Sequence, residues 1–172
     1  MPRNVEIKAR IECIEELEEK VIGIADGEPT EILQDDTFFP CDNGRLKLRT
    51  FSEDRGELIF YRRADESGPK ESFYLISATS EPSSLLETLD AAYGAVGRVQ
   101  KRRTLYLAGR TRIHLDRVEG LGDFLELEVV LVEGEASEDG IVEAKNILRE
   151  LGVYDTQLVE GAYIDLLSQG DA

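Results

Sequence analysis

The strongest constraint on this chain is a period-two alternation that recurs in separate segments and puts basic residues on its polar face. Asn4-Val5-Glu6-Ile7-Lys8-Ala9-Arg10-Ile11 has apolar residues at odd positions and polar or charged ones at even positions. Arg45-Leu46-Lys47-Leu48-Arg49 alternates strictly, and Leu58 to Arg63 places Tyr61 and Arg63 on one face, Leu58 and Phe60 on the other. Successive side chains of a strand point to opposite faces, so each segment predicts a two-faced strand. Other polar faces carry Gln100 and Arg102, then Arg112, His114 and Asp116, then Glu126 and Glu128. One such strand is what any half-buried sheet produces. The set is informative because the chain is acidic, with a formal net charge of −16 over 172 residues. An acidic protein that aligns so many cations on strand faces has a use for them.

Between these segments the spacing predicts helices over 13–25, 85–93, 137–151 and 156–169, the first ended by Gly27 and Pro29, the second opened by Pro82. Strands are expected over 32–39, 72–79, 96–107, 110–118 and 123–133, with 64–71 as a polar loop that includes Gly68-Pro69-Lys70. Most strand connections are short, which favours antiparallel neighbours. The expected class is α+β, about eight antiparallel strands with flanking helices, in a single domain over 1–172.

Composition narrows the function. The chain is 41% hydrophobic and 33% charged, which suits a globular domain. It has no 18-residue apolar run and no apolar signal-peptide core, so a cytoplasmic location is expected. Cys13 and Cys41 lack metal-site spacing and fit reduced thiols. The net charge disfavours nucleic acid and anionic membrane as partners. A homodimer is left open.

If the sheet closes, the charged faces line a lumen. Crowded cations there repel one another unless water, counter-ions or a polyanion accompany them. A linear triphosphate suits them, since Arg offers bidentate forks to phosphate oxygens and Lys a point charge. Glu126 and Glu128 share a strand face, and Glu6 lies two residues before Lys8. Converging carboxylates beside phosphates are a usual way to hold Mg²⁺ or Mn²⁺, and ion pairing with the arginines is the plainer account of them.

The blocks then carry a resemblance. Asn4-x-Glu6-x-Lys8 resembles the ExExK signature of the CYTH superfamily, the triphosphate tunnel metalloenzymes, which unites CyaB-type class IV adenylate cyclases with thiamine triphosphatases. Gly44 to Arg49, Glu57 to Asp65 with Gly68-Pro69-Lys70, Lys101-Arg102-Arg103, Leu121 to Glu128 and Ala162 to Leu167 resemble its later blocks, in family order over nearly the whole chain. The resemblance implies a closed eight-stranded β-barrel forming a triphosphate tunnel. It implies a substrate such as ATP, thiamine triphosphate or inorganic triphosphate, and Mg²⁺ or Mn²⁺ as cofactor. Position by position, it implies that Lys8, Arg45, Lys47, Arg49, Arg63, Arg102 and Arg112 grip phosphates, and that Glu6, Glu126 and Glu128 hold the metal. Lys70 would close on the ligand from its loop, and Lys8 and Tyr61 would serve catalysis, with Tyr61 orienting the nucleophile or packing in the lumen. His114 and Asp116 are open between structural and site roles. The family's first glutamate is Asn4 here, a neutral carbonyl donor for a hard cation. The pattern lies nearest the cyclase subgroup, with a triphosphatase as the alternative. A non-catalytic polyphosphate or nucleotide sensor and a barrel for an apolar ligand are more distant readings.

Overall fold

The structure is a computed structural model that describes residues 3–63 and 68–170. Eight strands, β1 (Arg3–Ile11), β2 (Thr30–Phe39), β3 (Arg45–Ser52), β4 (Arg55–Arg63), β5 (Lys70–Thr79), β6 (Gly97–Ala108), β7 (Thr111–Val118) and β8 (Gly122–Val130), alternate with α1 (Ile14–Ile24) after β1, α2 (Pro82–Tyr93) after β5, and α3 (Ser137–Leu151) and α4 (Tyr163–Gly170) after β8. The strands close into a barrel in the order β1-β5-β4-β3-β2-β6-β7-β8, and β8 pairs back onto β1. Every pair is antiparallel. The expected closed eight-stranded barrel with flanking helices is the observed fold. Closure removes sheet edges and gives every strand an inner and an outer face.

The alternation decides which side chains meet outside. Val5, Ile7, Ala9 and Ile11 of β1 join Ile113 and Leu115 of β7 and Leu125, Leu127 and Val129 of β8 on the outer wall. Helix α1 covers them with Ile14, Leu17 and Val21, and α3 with Ala144, Leu148 and Leu151. The main apolar core therefore lies between barrel and helices, and the interior carries charged side chains beside a smaller apolar set that includes Ile32, Phe51, Ile59, Ile76 and Leu105. Gly140 permits this contact, because a Cβ there would stand 2.7 Å from Val5 Cγ2 and 2.8 Å from Leu131 Cδ2. A second cluster of Phe38, Val99, Val118, Phe124 and Tyr163 closes one end of the barrel under α4. Tight turns link β6 to β7 and β7 to β8, the first at Gly109, whose φ of 60° favours a residue without a side chain.

Two expectations are corrected here. The helix expected over 156–169 is instead a short 3₁₀ turn (Asp155–Gln157), an extended link and α4. The link runs beside β1, with Val159 N–H donating to Lys8 O at 3.0 Å, and Gly161 breaks the helix with a φ of 81°. Lys70 is not a loop residue: it opens β5, is buried, and sits opposite Glu6 of β1. No described helix is long and apolar enough to cross a membrane.

Candidate active site

The inner faces enclose a cavity of about 410 Å³ lined by residues of all eight strands and by Ala162 and Tyr163 beside α4. Of the residues singled out in the sequence, Asn4, Glu6, Lys8, Lys47, Arg49, Tyr61, Arg112, His114, Glu126 and Glu128 line it. Arg45 lies further along its strand at the rim, where its Nη2 meets Asp165 Oδ2 of α4 at 2.5 Å. Arg63 closes β4, and its side chain lies outside the described residues.

Arg102 is the clear misplacement. It is exposed on the outer wall with Gln100, while Lys101 and Arg103 point inward. Strand β6 offers cations in both frames, and Val99, Leu105 and Leu107 mark the odd positions as the apolar face, which sends Arg102 to the lumen. The structure takes the opposite frame. Tyr106 and Thr104 face outward and are buried: Tyr106 packs in the core beneath α1 and donates to Glu18 Oε2 at 2.8 Å, and Thr104 donates to Glu31 Oε1 at 2.8 Å. A one-residue change of frame moves every side chain to the other face.

The cavity holds two charge clusters. In the first, Glu6, Glu126 and Glu128 of β1 and β8 offer oxygens that all lie within 4.8 Å of one another. Adjacent positions in the β1–β8 register bring them together, with Glu6 opposite Glu128 and Lys8 opposite Glu126. Cations stand around them at long range: Lys8 Nζ is 3.7 Å and Arg103 Nη2 3.8 Å from Glu126, and Arg112 Nη1 is 3.9 Å from Glu128. His114 bridges the pair, 3.6 Å from each. Burial pushes the Glu126 carboxyl up, but His114, Lys8 and Arg103 together hold it well below the usual carboxylate range. It is therefore ionised at neutral pH. Asn4 donates to Glu128 Oε2 at 3.4 Å, and its buried Oδ1 has no hydrogen-bond partner. Three ionised or ionisable carboxylates with an orphaned amide carbonyl are the donor chemistry a hard divalent cation takes, so these residues fit Mg²⁺ or Mn²⁺.

In the second cluster the charges are reversed. Asp36 of β2, only 1% exposed, is the shared acceptor of three cations. Arg49 grips it with both ends of its fork at 2.8 and 2.9 Å. Lys47 Nζ is 3.2 Å and Lys101 Nζ 3.5 Å from the same Oδ2. Burial raises the Asp36 carboxyl, and Lys47, Arg49 and Lys101 outweigh it to hold the group well below the ordinary range. Burial first, and then Arg49, lowers Lys47 to about 8 against the pull of Asp36. Between the clusters, Arg103 forks onto Asp116 at 2.7 and 2.8 Å, and Tyr163 donates to Asp116 Oδ2 at 2.7 Å. Burial raises the Asp116 carboxyl, but Arg103 more than offsets this and takes it to about 2. Lys8 lies 4.1 Å from the Tyr163 ring centre and donates to Gly161 O at 3.1 Å, so the segment before α4 forms the floor beside it.

Sequence reasoning missed Asp36, Lys101, Arg103 and Tyr163. A signal existed for Asp36, since Ile32, Gln34, Asp36 and Phe38 alternate with Leu33 and Asp35, yet adjacent acids leave the frame open. Tyr163 sits in the recognised last block, but only the bend at Gly161 turns it into the barrel.

A closed antiparallel barrel with a carboxylate cluster and converging cations inside defines a class: a barrel whose lumen carries opposed charge clusters. The particular family follows from comparison. A model described as the CYTH domain matches residues 2–163, and the chain belongs to that family. An adenylate cyclase CyaB from Aeromonas hydrophila is 30% identical over 94 residues, 55% of this chain and 48% of that protein, so the match spans about half the length of that relative. The PH1012 protein from Pyrococcus horikoshii OT3 superposes with a TM-score of 0.83 at 23% identity, covering 95% of this chain and 99% of that one. HpAC1 from Hippeastrum, reported with a dominant triphosphatase activity, superposes with a TM-score of 0.66 at 17% identity, covering 97% and 96%.

Proposed function

We propose that this protein is a metal-dependent enzyme that binds a linear triphosphate in its barrel and converts ATP to cyclic AMP and pyrophosphate. The observation that carries this reading is the juxtaposition, in one barrel cavity, of three carboxylates within 4.8 Å with a separate group of converging Lys and Arg side chains. Glu6, Glu126 and Glu128, with Asn4 as a neutral neighbour, would hold Mg²⁺ or Mn²⁺. That ion would supply positive charge to phosphate oxygens and to the leaving group.

The chain's own groups do the rest. Lys47, Arg49, Lys101, Arg103 and Arg112 neutralise and orient non-bridging oxygens, as loosely bonded phosphoryl transfer requires. Lys8, held against Tyr163, brings a fixed ammonium to the carboxylate end. Tyr61 stands with its ring 5.0 Å from Lys47 Nζ, which supports a packing and orienting role over a chemical one. In the cyclase the ribose 3′-hydroxyl attacks the α-phosphorus and pyrophosphate leaves. The second reading is a triphosphatase, in which water attacks a terminal phosphorus of inorganic triphosphate, thiamine triphosphate or a nucleotide. The activity reported for HpAC1 supports it, and the same groups serve both reactions.

Product identification separates them. The purified protein is incubated with ATP, thiamine triphosphate and inorganic tripolyphosphate, each with Mg²⁺ or Mn²⁺. Cyclic AMP with pyrophosphate is expected. Orthophosphate release establishes the triphosphatase. Binding without turnover of any substrate overturns both in favour of a sensor.

A further inference from the structure

Asp36 is a buried carboxylate among the very cations that a triphosphate would need, and no step above uses it. A carboxylate placed there competes with phosphate, so its presence asks for a reason. The geometry supplies one. Lys47 and Lys101 both point at Asp36 Oδ2, and Arg49 occupies both oxygens. The three cations come from β3 and β6, on opposite sides of β2. Without an anion between them, two buried ammoniums and a guanidinium would stand within a few ångströms of one another, and one or both lysines would release its proton.

We infer that Asp36 is a positioning residue: its carboxylate keeps the Lys47 and Lys101 ammoniums charged and converged, so that the tunnel presents a formed cationic clamp before an anion arrives. The role rests on the proposed triphosphate reading for its purpose, but not for its electrostatics. Burial and Arg49 push Lys47 down to about 8, and Asp36 is the acid that acts on it in return. Burial also lowers Lys101 well below its ordinary value, with Asp36 opposing and Arg49, Arg103 and Lys47 reinforcing. The remaining groups around the pair are the Tyr61 and Phe38 rings over Lys47, the Tyr163 ring near Lys101, Asp116 acting across from β7, and Glu57 of β4 opposite Arg49. None of these replaces a carboxylate in ion-pair contact with both lysines.

Two measurements test this on the full chain. In the ligand-free protein, the lysine Cε and Nζ resonances are followed against pH by NMR. Asp36→Asn is expected to lower the titration midpoints of Lys47 and Lys101, and Asp36→Glu to restore them at least in part. In parallel, the affinity for inorganic tripolyphosphate is measured from pH 6 to pH 9. Deprotonation removes cations as pH rises, so Asp36→Asn should begin to lose affinity at lower pH than wild type. The gap near pH 8 is expected to reach about tenfold or more, as one lost charge at hydrogen-bond range implies. Lysine midpoints unchanged by Asp36→Asn overturn the inference, as does tighter tripolyphosphate binding by the variant at every pH. If wild type fails to bind tripolyphosphate while the midpoints still move, the triphosphate reading fails and the electrostatic role stands. If Asp36→Asn does not fold, calorimetry on wild type in buffers of different ionisation enthalpy decides. Little net proton uptake on tripolyphosphate binding at pH 7 is expected, and uptake of about one proton or more, the sign of lysines neutral before the anion arrives, overturns the inference.

Discussion

The two charge clusters of the tunnel are near mirror images in composition and opposite in tightness. Around Asp36, one carboxylate is held by three cations at 2.8 to 3.5 Å. Around Glu126 and Glu128, the surrounding cations and His114 stand at 3.6 to 3.9 Å. Short, bidentate contacts mark a group whose partners are already satisfied within the protein. Long contacts mark oxygens that retain room for a further ligand. The same barrel thus builds a preassembled cation clamp on β2, β3 and β6 and an open carboxylate site on β1 and β8. The outer packing follows the same division. The carboxylate wall is backed by α1 and α3 and the apolar core, whereas on the clamp side Leu33 of β2 is 66% exposed on the outer face. A metal site needs its ligands fixed more closely than a clamp for a flexible polyphosphate does.

The sharpest way to break this comparison is at Glu126. Glu126→Gln should lower metal-dependent turnover by about 10²–10³-fold, in line with loss of a preorganised electrostatic group, while circular dichroism stays native. Near wild-type turnover would remove the carboxylates from the metal role. Next is Asp116, which joins the clusters through Arg103 and Tyr163. Asp116→Asn removes the forked partner of buried Arg103 and leaves only Glu126, at 3.8 Å, as counter-charge, which should cost about 3 kcal/mol of stability at neutral pH. The folded-state pKa of about 2 lies below the ordinary carboxylate value. The stabilisation is therefore complete above about pH 4 and lost as pH falls towards about 2. Denaturant titrations should show the gap between wild type and variant closing across that range, and a constant gap would refute the ionic account. On the clamp side, Arg49→Lys keeps the charge but loses the fork. Tripolyphosphate affinity, read by calorimetry, is expected to fall about tenfold. The smallest effect belongs to Arg102→Ala on the outer wall, expected to leave affinity within about twofold. A loss comparable with that of Arg49→Lys would mean that β6 presents its other frame to the lumen.

Much of the fold was legible because period two is a local property. Each alternating segment named a strand, and Val5, Ile7 and Ala9 against Glu6 and Lys8 identified the two faces of β1 correctly. The same logic placed Glu126 and Glu128 together, since i and i+2 always share a strand face. It failed where neighbours were chemically alike. Lys101-Arg102-Arg103 is basic in either frame, and Asp35-Asp36 is acidic in either frame. Strand pairing and outer packing make that choice, and neither is written in the segment itself.

By itself the sequence determined the strand count, the basic and acidic inner rows and the family likeness, because alternation and block order survive without any knowledge of contacts. Only the tertiary structure decided that β8 closes on β1, that Tyr106 buries outward beneath α1 and thereby turns Lys101 and Arg103 inward, and that Asp36 meets Lys47, Arg49 and Lys101. The physical reason is that closure and frame depend on which side chains must be buried against helices far away in the chain. The charge balance of the tunnel follows from that burial, and no single strand can specify it.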